Sequence, residues 1–202
     1  MLRANRTLSC RNVAGLLVAL AISAVLPLAA LSQGTFGIDA LFKLLGHHDA
    51  LRATFVERKF VKQLDGPVDS SGELSFDAPA TMVKRTLKPR PETVRMDGQK
   101  ITVERGSQQR TFSIDEHPEI AVYVEAIRAA LAGDQTALQR YYEPSVEGGA
   151  ASWKLTLAPR DPKLAQQVTS IILSGKHGTV RQVEVRLADG DYSVMSIEPA
   201  AK

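Results

Sequence analysis

Short segments in which apolar and polar residues alternate recur about every ten residues over most of the chain, and this pattern constrains the fold most. Leu74 and Phe76 alternate with polar neighbours in GELSFDA, and Trp153, Leu155 and Leu157 do so in SWKLTLAP. Strands with one apolar and one polar face form antiparallel sheets that cover a core on one side. The sequence therefore predicts an antiparallel sheet of many short strands.

The pattern predicts about eight to ten strands and three helices. Strands fill residues 72–115 and resume after residue 150, while 64–72 is predicted as a turn. Asp-Gly pairs at 97–98 and 189–190 favour hairpin turns. Residues 161–175 are compatible with a short helix or a turn that runs into a strand. A sheet of this length must curl, split or close, so we expect a curved sheet with its apolar faces inward.

The helices are predicted from apolar residues at helical spacing. The first begins near Asp39, which can cap it, and the pattern changes to strand past Leu51. The other two fall within residues 119–142, where Gly133 ends one helix and Asp134 can cap the next. These two are well placed to cover the concave face of the sheet, with the apolar residues Ile120, Val124, Ile127, Leu131 and Leu138.

The N-terminal segment has the pattern of a secretory signal peptide. Residues 1–12 are polar with three arginines, residues 13–31 are apolar, and small residues follow. We predict a signal peptide over residues 1–32 with cleavage before Gln33, and a single domain over 33–202. The alternative is an uncleaved membrane anchor, because the apolar run approaches the spanning length. Cys10 precedes the apolar run, which argues against lipid modification there, and the mature chain would contain no cysteine.

The charge distribution argues against nucleic-acid binding. The 202-residue chain carries 25 Lys and Arg against 22 Asp and Glu, and its isoelectric point is about 9.1. The first 32 residues contain Arg3, Arg6, Arg11 and no acid, so the three excess bases all lie there. A phosphate-binding surface would normally appear as a basic excess in the folded part. The predicted mature chain is instead charge-balanced.

The sequence offers no recognisable catalytic or metal-binding motif. Adjacent His47 and His48 point in different directions on a helix and rarely bind one ion, while Asp115 and Glu116 fit turn chemistry beside Pro118. Phosphate-binding glycine loops, nucleophile motifs and dinucleotide fingerprints do not occur in the sequence. We therefore predict a protein that is not an enzyme and that needs no cofactor and no metal.

Most of the predicted mature chain, from about Leu41 to Ser196, resembles the LolA-like family of periplasmic lipoprotein carriers. The resemblance lies in the order and spacing of several segments: FVERKFVKQLDGPVDSSGELSFDAP, then VRMDGQKITVERGSQQRTFSI, the helical LAGDQTALQRYY, and SWKLTLAPRDPKL followed by VRQVEVRLADGD. It implies an unclosed antiparallel β-barrel covered by a helical lid. In the main carrier, an arginine before the proline that ends the second strand latches the lid, whereas here Ala78 precedes Pro79.

The resemblance implies a monomeric periplasmic carrier that shields the acyl chains of a lipoprotein or other lipid. Its implied partners are an inner-membrane release complex or exporter and an outer-membrane acceptor. Helical residues Ile120, Val124, Ile127, Leu131 and Leu138 would form the lid, and the cavity would be lined by Phe55, Leu74, Phe76, Val83, Leu87, Val94, Met96, Val103, Phe112, Trp153, Leu155 and Leu157.

Three alternatives remain open from the sequence. The apolar strand faces could be ordinary core without a cavity. The chain could be an envelope-assembly or interaction protein on the same fold, or an envelope hydrolase with an unrecognised site. The face assignment of each strand also rests on its register, because a shift by one residue exchanges the two faces.

Overall fold

The structure, a computed structural model, describes residues 36–46, 48–116 and 118–200, and of residues 115 and 118–123 it describes the backbone alone. The predicted signal peptide, its cleavage site, Cys10 and His47 lie outside the described residues. No helix within the described ranges is long and apolar enough to cross a membrane.

The described residues form eleven strands, four α-helices and one 3-10 turn. The helices are α1 (Ile38–Leu45), α2 (Pro118–Ala132), α3 (Gln135–Tyr141) and α4 (Pro162–Ala165), and the 3-10 turn is Ile114–Glu116. The strands are β1 (Ala50–Phe60), β2 (Val68–Asp77), β3 (Thr81–Lys88), β4 (Glu92–Asp97), β5 (Lys100–Arg105), β6 (Gln108–Ser113), β7 (Tyr142–Gly149), β8 (Ser152–Pro159), β9 (Val168–Lys176), β10 (Thr179–Leu187) and β11 (Tyr192–Pro199).

All eleven strands belong to one antiparallel sheet in the order β6-β5-β4-β3-β2-β1-β11-β10-β9-β8-β7. Strands β6 and β7 are its two edges, so the sheet is not closed. Side chains from β4 and β5 line the same cavity as side chains from β9 and β10, which lie on the other half of the sheet. The sheet is therefore strongly curved, and the predicted fold, an unclosed antiparallel barrel with covering helices, is confirmed.

Helices α1, α2 and α3 cover part of the concave face. Leu41 of α1, Ala129 of α2 and Leu138 of α3 are buried in one cluster with Leu155 and Ile171 of the sheet. This cluster involves strands β7–β11, so a large part of that half of the sheet is covered by core, while β9–β11 also border the cavity. On the other half a smaller buried cluster consists of Val124 with Ile101 and Ile114, and Phe55, Phe76 and Met82 are buried separately on β1, β2 and β3. Helix α2 thus contacts both halves.

Two predicted helix signals are confirmed and one is wrong. Gly133 follows α2 with a φ of +71°, and a Cβ there would stand 2.5 Å from the Gly46 carbonyl oxygen. The Asp134 carboxylate accepts a hydrogen bond of 2.9 Å from the Ala137 N–H and caps α3. Asp39 does not cap α1, because the helix begins one residue earlier and Gly37 is its N-cap.

Two strands begin where the sequence indicated turns. Residues 64–72 were predicted as a turn, but β2 starts at Val68. Val68 pairs with Lys59 near the end of the long strand β1, and this pairing extends β2 into the predicted turn. Strand β7 was missed because Pro144 and two glycines favour a loop. A proline is tolerated on this strand because β7 lies at a sheet edge. The ambiguous segment 161–175 is helix α4 followed by β9.

The ring of Trp153 packs over a glycine on the neighbouring strand β9. Its indole N–H donates to the His177 carbonyl oxygen at 2.7 Å, and the side chain is buried. Gly175, its cross-strand partner, leaves room for the ring: a Cβ there would lie 2.3 Å from Trp153 Cζ2 and 2.2 Å from the Thr179 carbonyl oxygen. The tryptophan and the glycine therefore form one packing unit.

We predict that Gly175→Ala lowers the free energy of unfolding by about 1–3 kcal/mol, because the added methyl group overpacks a buried ring. Urea unfolding followed by tryptophan fluorescence measures the change. Gly149→Ala is the matched control, since a Cβ there meets nothing within 4 Å and its effect should be smaller. Equal effects of the two substitutions would contradict the packing argument.

Candidate functional site

A cavity of about 1020 Å³ lies between the concave face of the sheet and helix α2. This volume is at the upper end of the roughly 300–1,000 Å³ typical of ligand pockets. Most of the lining side chains are apolar and come from β1–β5 on one half of the sheet and from β9–β11 on the other. Within the described residues, the helices thus cover only part of the concave face of the sheet.

One wall of the cavity is a continuous apolar row across six strands. Cross-strand pairing links Leu51, Phe76, Met82, Met96, Ile101 and Phe112 from β1 to β6 in that order. All six border the cavity. Ile101 also packs against Val124 of α2, so this end of the cavity lies next to the helix. The row therefore gives the cavity one continuous apolar wall.

Toward the opposite ends of the same strands the lining becomes polar. The Lys84 ammonium lies 2.5 Å from the Glu57 carboxylate, and it stands 4.9 Å from the centroid of the Phe55 ring. Arg105 donates to the Glu92 carboxylate in a second ion pair. All four charged side chains border the cavity. The cavity therefore has an apolar end and a charged end.

Ten of the predicted cavity and lid residues border this cavity. Strands β2–β6 supply Leu74, Phe76, Val83, Val94, Met96, Val103 and Phe112, and helix α2 supplies Val124, Ile127 and Leu131. The side chain of Ile120 lies outside the described part of the chain. Whether any of these residues contacts a ligand remains a prediction.

Several predicted residues lie in the core instead. Trp153, Leu155 and Leu157 of β8 face inward, but α1, α2 and α3 cover that half of the sheet, so they are core. Leu138 of α3 is buried in the same cluster and does not border the cavity. Phe55 is 2 % exposed and lies beneath the ammonium of Lys84.

The predicted inner face of β3 requires a correction. The register pairs Met82 with Phe76 and Lys84 with Leu74, so Met82 and Lys84 share the inner face. Leu87 belongs to the opposite face and is 45 % exposed. Val83 is on that face too, opposite Ser75, although it still reaches the border of the cavity. In MVKRTLK both faces carry apolar and basic residues, so alternation alone does not decide between them.

The sequence prediction missed much of the lining. Ile101 could have been found, because it stands two residues from Val103 and shares its face. Leu173 lies on the strand whose type was ambiguous, and the polar members Glu57 and Glu92 carry no hydrophobic signal. Leu173, Glu57 and Glu92 are assigned to the lining by strand pairing, which the sequence does not contain.

Ala78, which stands where the family resemblance implies a latch arginine, lies in the short turn that follows β2. Ala78 donates its N–H to the Asp49 carbonyl oxygen at 2.8 Å. A guanidinium is nevertheless close, since Arg52 of β1 bonds Asp77 at 2.8 Å and the Phe76 carbonyl oxygen at 3.0 Å. Arg52 also borders the cavity. A cation thus stands near this corner, supplied by the neighbouring strand.

The described residues contain no group of three His, Cys, Asp or Glu side chains that could hold a metal ion. His48 borders the cavity, and His177 belongs to the turn between β9 and β10. His47, which the sequence did not support as half of a metal-binding pair, lies outside the described residues.

A family model described as "Outer membrane lipoprotein carrier protein LolA-like" matches residues 29–202. The match spans most of the chain, so the protein belongs to this family. The resemblance read from the order of segments is therefore confirmed. No curated protein matches the chain significantly in sequence.

Several solved structures are similar to the chain at low identity. The LolA superfamily protein NE2245 from Nitrosomonas europaea has a TM-score of 0.40 and 11 % identity, over 80 % of this chain and 91 % of that one. The Mycobacterium tuberculosis lipoprotein LppX has a TM-score of 0.38 and 13 % identity, over 80 % and 94 %. In the Pseudomonas aeruginosa MucA/MucB complex the values are 0.40 and 15 %, and the match covers 80 % of this chain but only 55 % of the other.

The face assignment of β3 can be tested by stability. Met82→Lys places a charge against Phe76 and Met96, so we expect it to lower the free energy of unfolding by about 2–4 kcal/mol. Leu87→Lys on the exposed face should change it by less than about 0.5 kcal/mol. Urea unfolding of both variants measures the difference. A larger loss for Leu87→Lys would support the opposite face assignment.

Proposed function

We propose that the protein is a periplasmic carrier that shields the acyl chains of a lipoprotein or another lipid between the inner and outer membranes. The observation that supports this is the large, mainly apolar cavity between the curved sheet and α2. Membership of the LolA-like family agrees with it. The apolar row at one end offers hydrocarbon contacts, and the proposed reaction is binding and release without catalysis.

The hydrophobic effect sets the strength of such binding. Each buried methylene contributes about 0.8 kcal/mol, so a 16-carbon chain gains about 13 kcal/mol relative to water. A membrane offers nearly the same gain, and loading and unloading are then close to balanced in free energy. Direction must come from donor and acceptor proteins that favour one state over another. We propose an inner-membrane release complex or exporter as donor and an outer-membrane acceptor.

The proposed compartment rests on the N-terminal segment. Its polar start, apolar run and small-residue exit have the pattern of an export signal, and the predicted mature chain contains no cysteine. The remaining 22 basic and 22 acidic residues of 33–202 balance. The partner is therefore proposed to be a lipid-bearing molecule and not a nucleic acid.

Native mass spectrometry and an acyl-chain fluorophore test the carrier proposal directly. The purified protein should retain lipid or bind the fluorophore in a saturable manner, and an unlabelled fatty acid should displace it. A protein that holds no lipid and binds no fluorophore would contradict the proposal. Stable capture of a partner protein by lipid-free protein would instead support an interaction or envelope-assembly role on the same fold.

Helix α2 provides a sharper test. Ile127→Asp places a carboxylate on the cavity wall, so acyl binding should weaken by at least about tenfold while the protein remains folded. Fluorophore titration measures binding, and circular dichroism monitors folding. Val56→Asp is the control, because Val56 is 55 % exposed on β1 and does not border the cavity.

A second cavity variant guards against a folding defect. If Ile127→Asp unfolds the protein, Val103→Asp tests the same wall from β5. Normal acyl binding by a folded Val103→Asp protein would place the ligand elsewhere. Unfolding of both variants with an unaffected Val56→Asp would indicate that the residues are ordinary core.

A further inference from the structure

The polar end of the cavity contains charges that an acyl chain alone does not require. Glu57, Lys84, Glu92 and Arg105 all border the cavity. The side chains of Glu57 and Lys84 are only 18 % and 30 % exposed. Placing charges in a partly buried site costs free energy, and a buried ion pair is often no better for stability than apolar residues. The two pairs are therefore candidates for ligand recognition.

The strand register determines how the first pair meets. Glu57 stands opposite Ser70 on β2, and Lys84 stands opposite Leu74 on the same strand. Gly72, which lies between these two positions on β2, carries no side chain that would separate them. Lys84 thus reaches across β2 to the Glu57 carboxylate at 2.5 Å. Ser70 Oγ adds a hydrogen bond to the same carboxylate at 3.4 Å.

The second pair stands nearer the solvent. The side chain of Arg105 is 73 % exposed, whereas that of Glu92 is 25 % exposed. At the other end, Ile101 of the apolar row is buried against Val124 of α2. The cavity consequently runs from a covered apolar end to an open charged end. An amphiphile would fit with its chain under α2 and its head group toward Arg105.

The charges also restrict the kind of head group. Each of the two cations has a carboxylate partner, so the four side chains sum to no net charge, and the third cation at the border, Arg52, is paired with Asp77. An ammonium has three N–H donors and a guanidinium five, so each can hold its carboxylate and a ligand phosphate together. The two carboxylates can accept from an ammonium group of the ligand but repel an added negative charge.

On the basis of the carrier function proposed above, we propose that Glu57–Lys84 and Glu92–Arg105 bind the head group of the cargo and select a zwitterionic, phosphate- and ammonium-bearing lipid over a net anionic one. The acyl chain lies along the row from Leu51 to Phe112, and the phosphate lies near the two cations. Electrostatic complementarity of this kind mainly determines specificity. The acyl chain supplies most of the affinity.

Two single-chain lipids with the same palmitoyl chain test this selection: lysophosphatidylethanolamine, which is zwitterionic, and lysophosphatidylglycerol, which is anionic. Their affinities are measured by displacement of an acyl fluorophore below the micellar range. The unsubstituted protein should bind the zwitterionic lipid about tenfold more tightly, a difference of about 1.4 kcal/mol. Equal affinities would overturn the proposed selection.

A paired charge removal makes the test specific to the site. Glu57→Gln with Glu92→Gln leaves two cations at the cavity, so the affinity ratio should shift at least about tenfold toward the anionic lipid. The control is Glu73→Gln with Glu147→Gln, which removes the acids of two exposed ion pairs, Glu73 with Arg85 and Glu147 with Lys154. The control changes the net charge equally and should leave the ratio unchanged.

The reverse substitution provides a second arm if the first variant does not fold. Lys84→Gln with Arg105→Gln removes both cations, and both lipids should bind more weakly, the anionic lipid by the larger factor.

In the acid-removal arm, an equal shift of the affinity ratio in the Glu73→Gln, Glu147→Gln control would assign the effect to overall charge and overturn the proposal. Intact fluorophore binding with no head-group preference in any variant would overturn this inference and leave the carrier function standing. If the unsubstituted protein does not bind the fluorophore, both the head-group inference and the proposed carrier function are overturned.

Discussion

The sheet has more apolar concave surface than the helices cover in the described residues, and the cavity follows from that mismatch. On the β7–β11 half, three helices pack against the strands and bury a large hydrophobic cluster. On the β1–β6 half, α2 packs against the sheet where Val124 meets Ile101, in a much smaller cluster. Apolar surface left open in water is unfavourable. In the proposed carrier function, the acyl chain of the cargo covers it.

The alternation of apolar and polar residues predicted the antiparallel sheet, because a single solvent-facing side is a local property of each strand. The number of strands then predicted the curvature. Local sequence signals also correctly predicted the end of α2 at Gly133 and the cap of α3 at Asp134. They failed for Asp39, because a carboxylate near a helix start can belong to the first turn as well as to the cap. Here Asp39 accepts a hydrogen bond from Gln135 of α3 instead.

The cavity was predictable only in part, because its lining depends on strand pairing and on helix placement. Strand β3 has apolar and basic residues on both faces, so its inner face became clear only from the pairing of Met82 with Phe76. The residues of β8 were correctly expected to face inward, yet helices that pack on β8 make them core. The ion pair between Glu57 and Lys84 joins residues 27 positions apart on non-adjacent strands. No short-range pattern contains that contact.

The open edge between β6 and β7 has a mechanical consequence. In a closed barrel, strand number and stagger fix the circumference, so enlargement requires the loss of hydrogen bonds between strands. In this sheet the ten strand pairs are continuous from edge to edge, and the gap interrupts none of them. A small change of twist at each pair adds up to a wider gap while every ladder hydrogen bond is kept. The width of the cavity can therefore change at little cost in backbone energy, because no hydrogen bond between strands has to break.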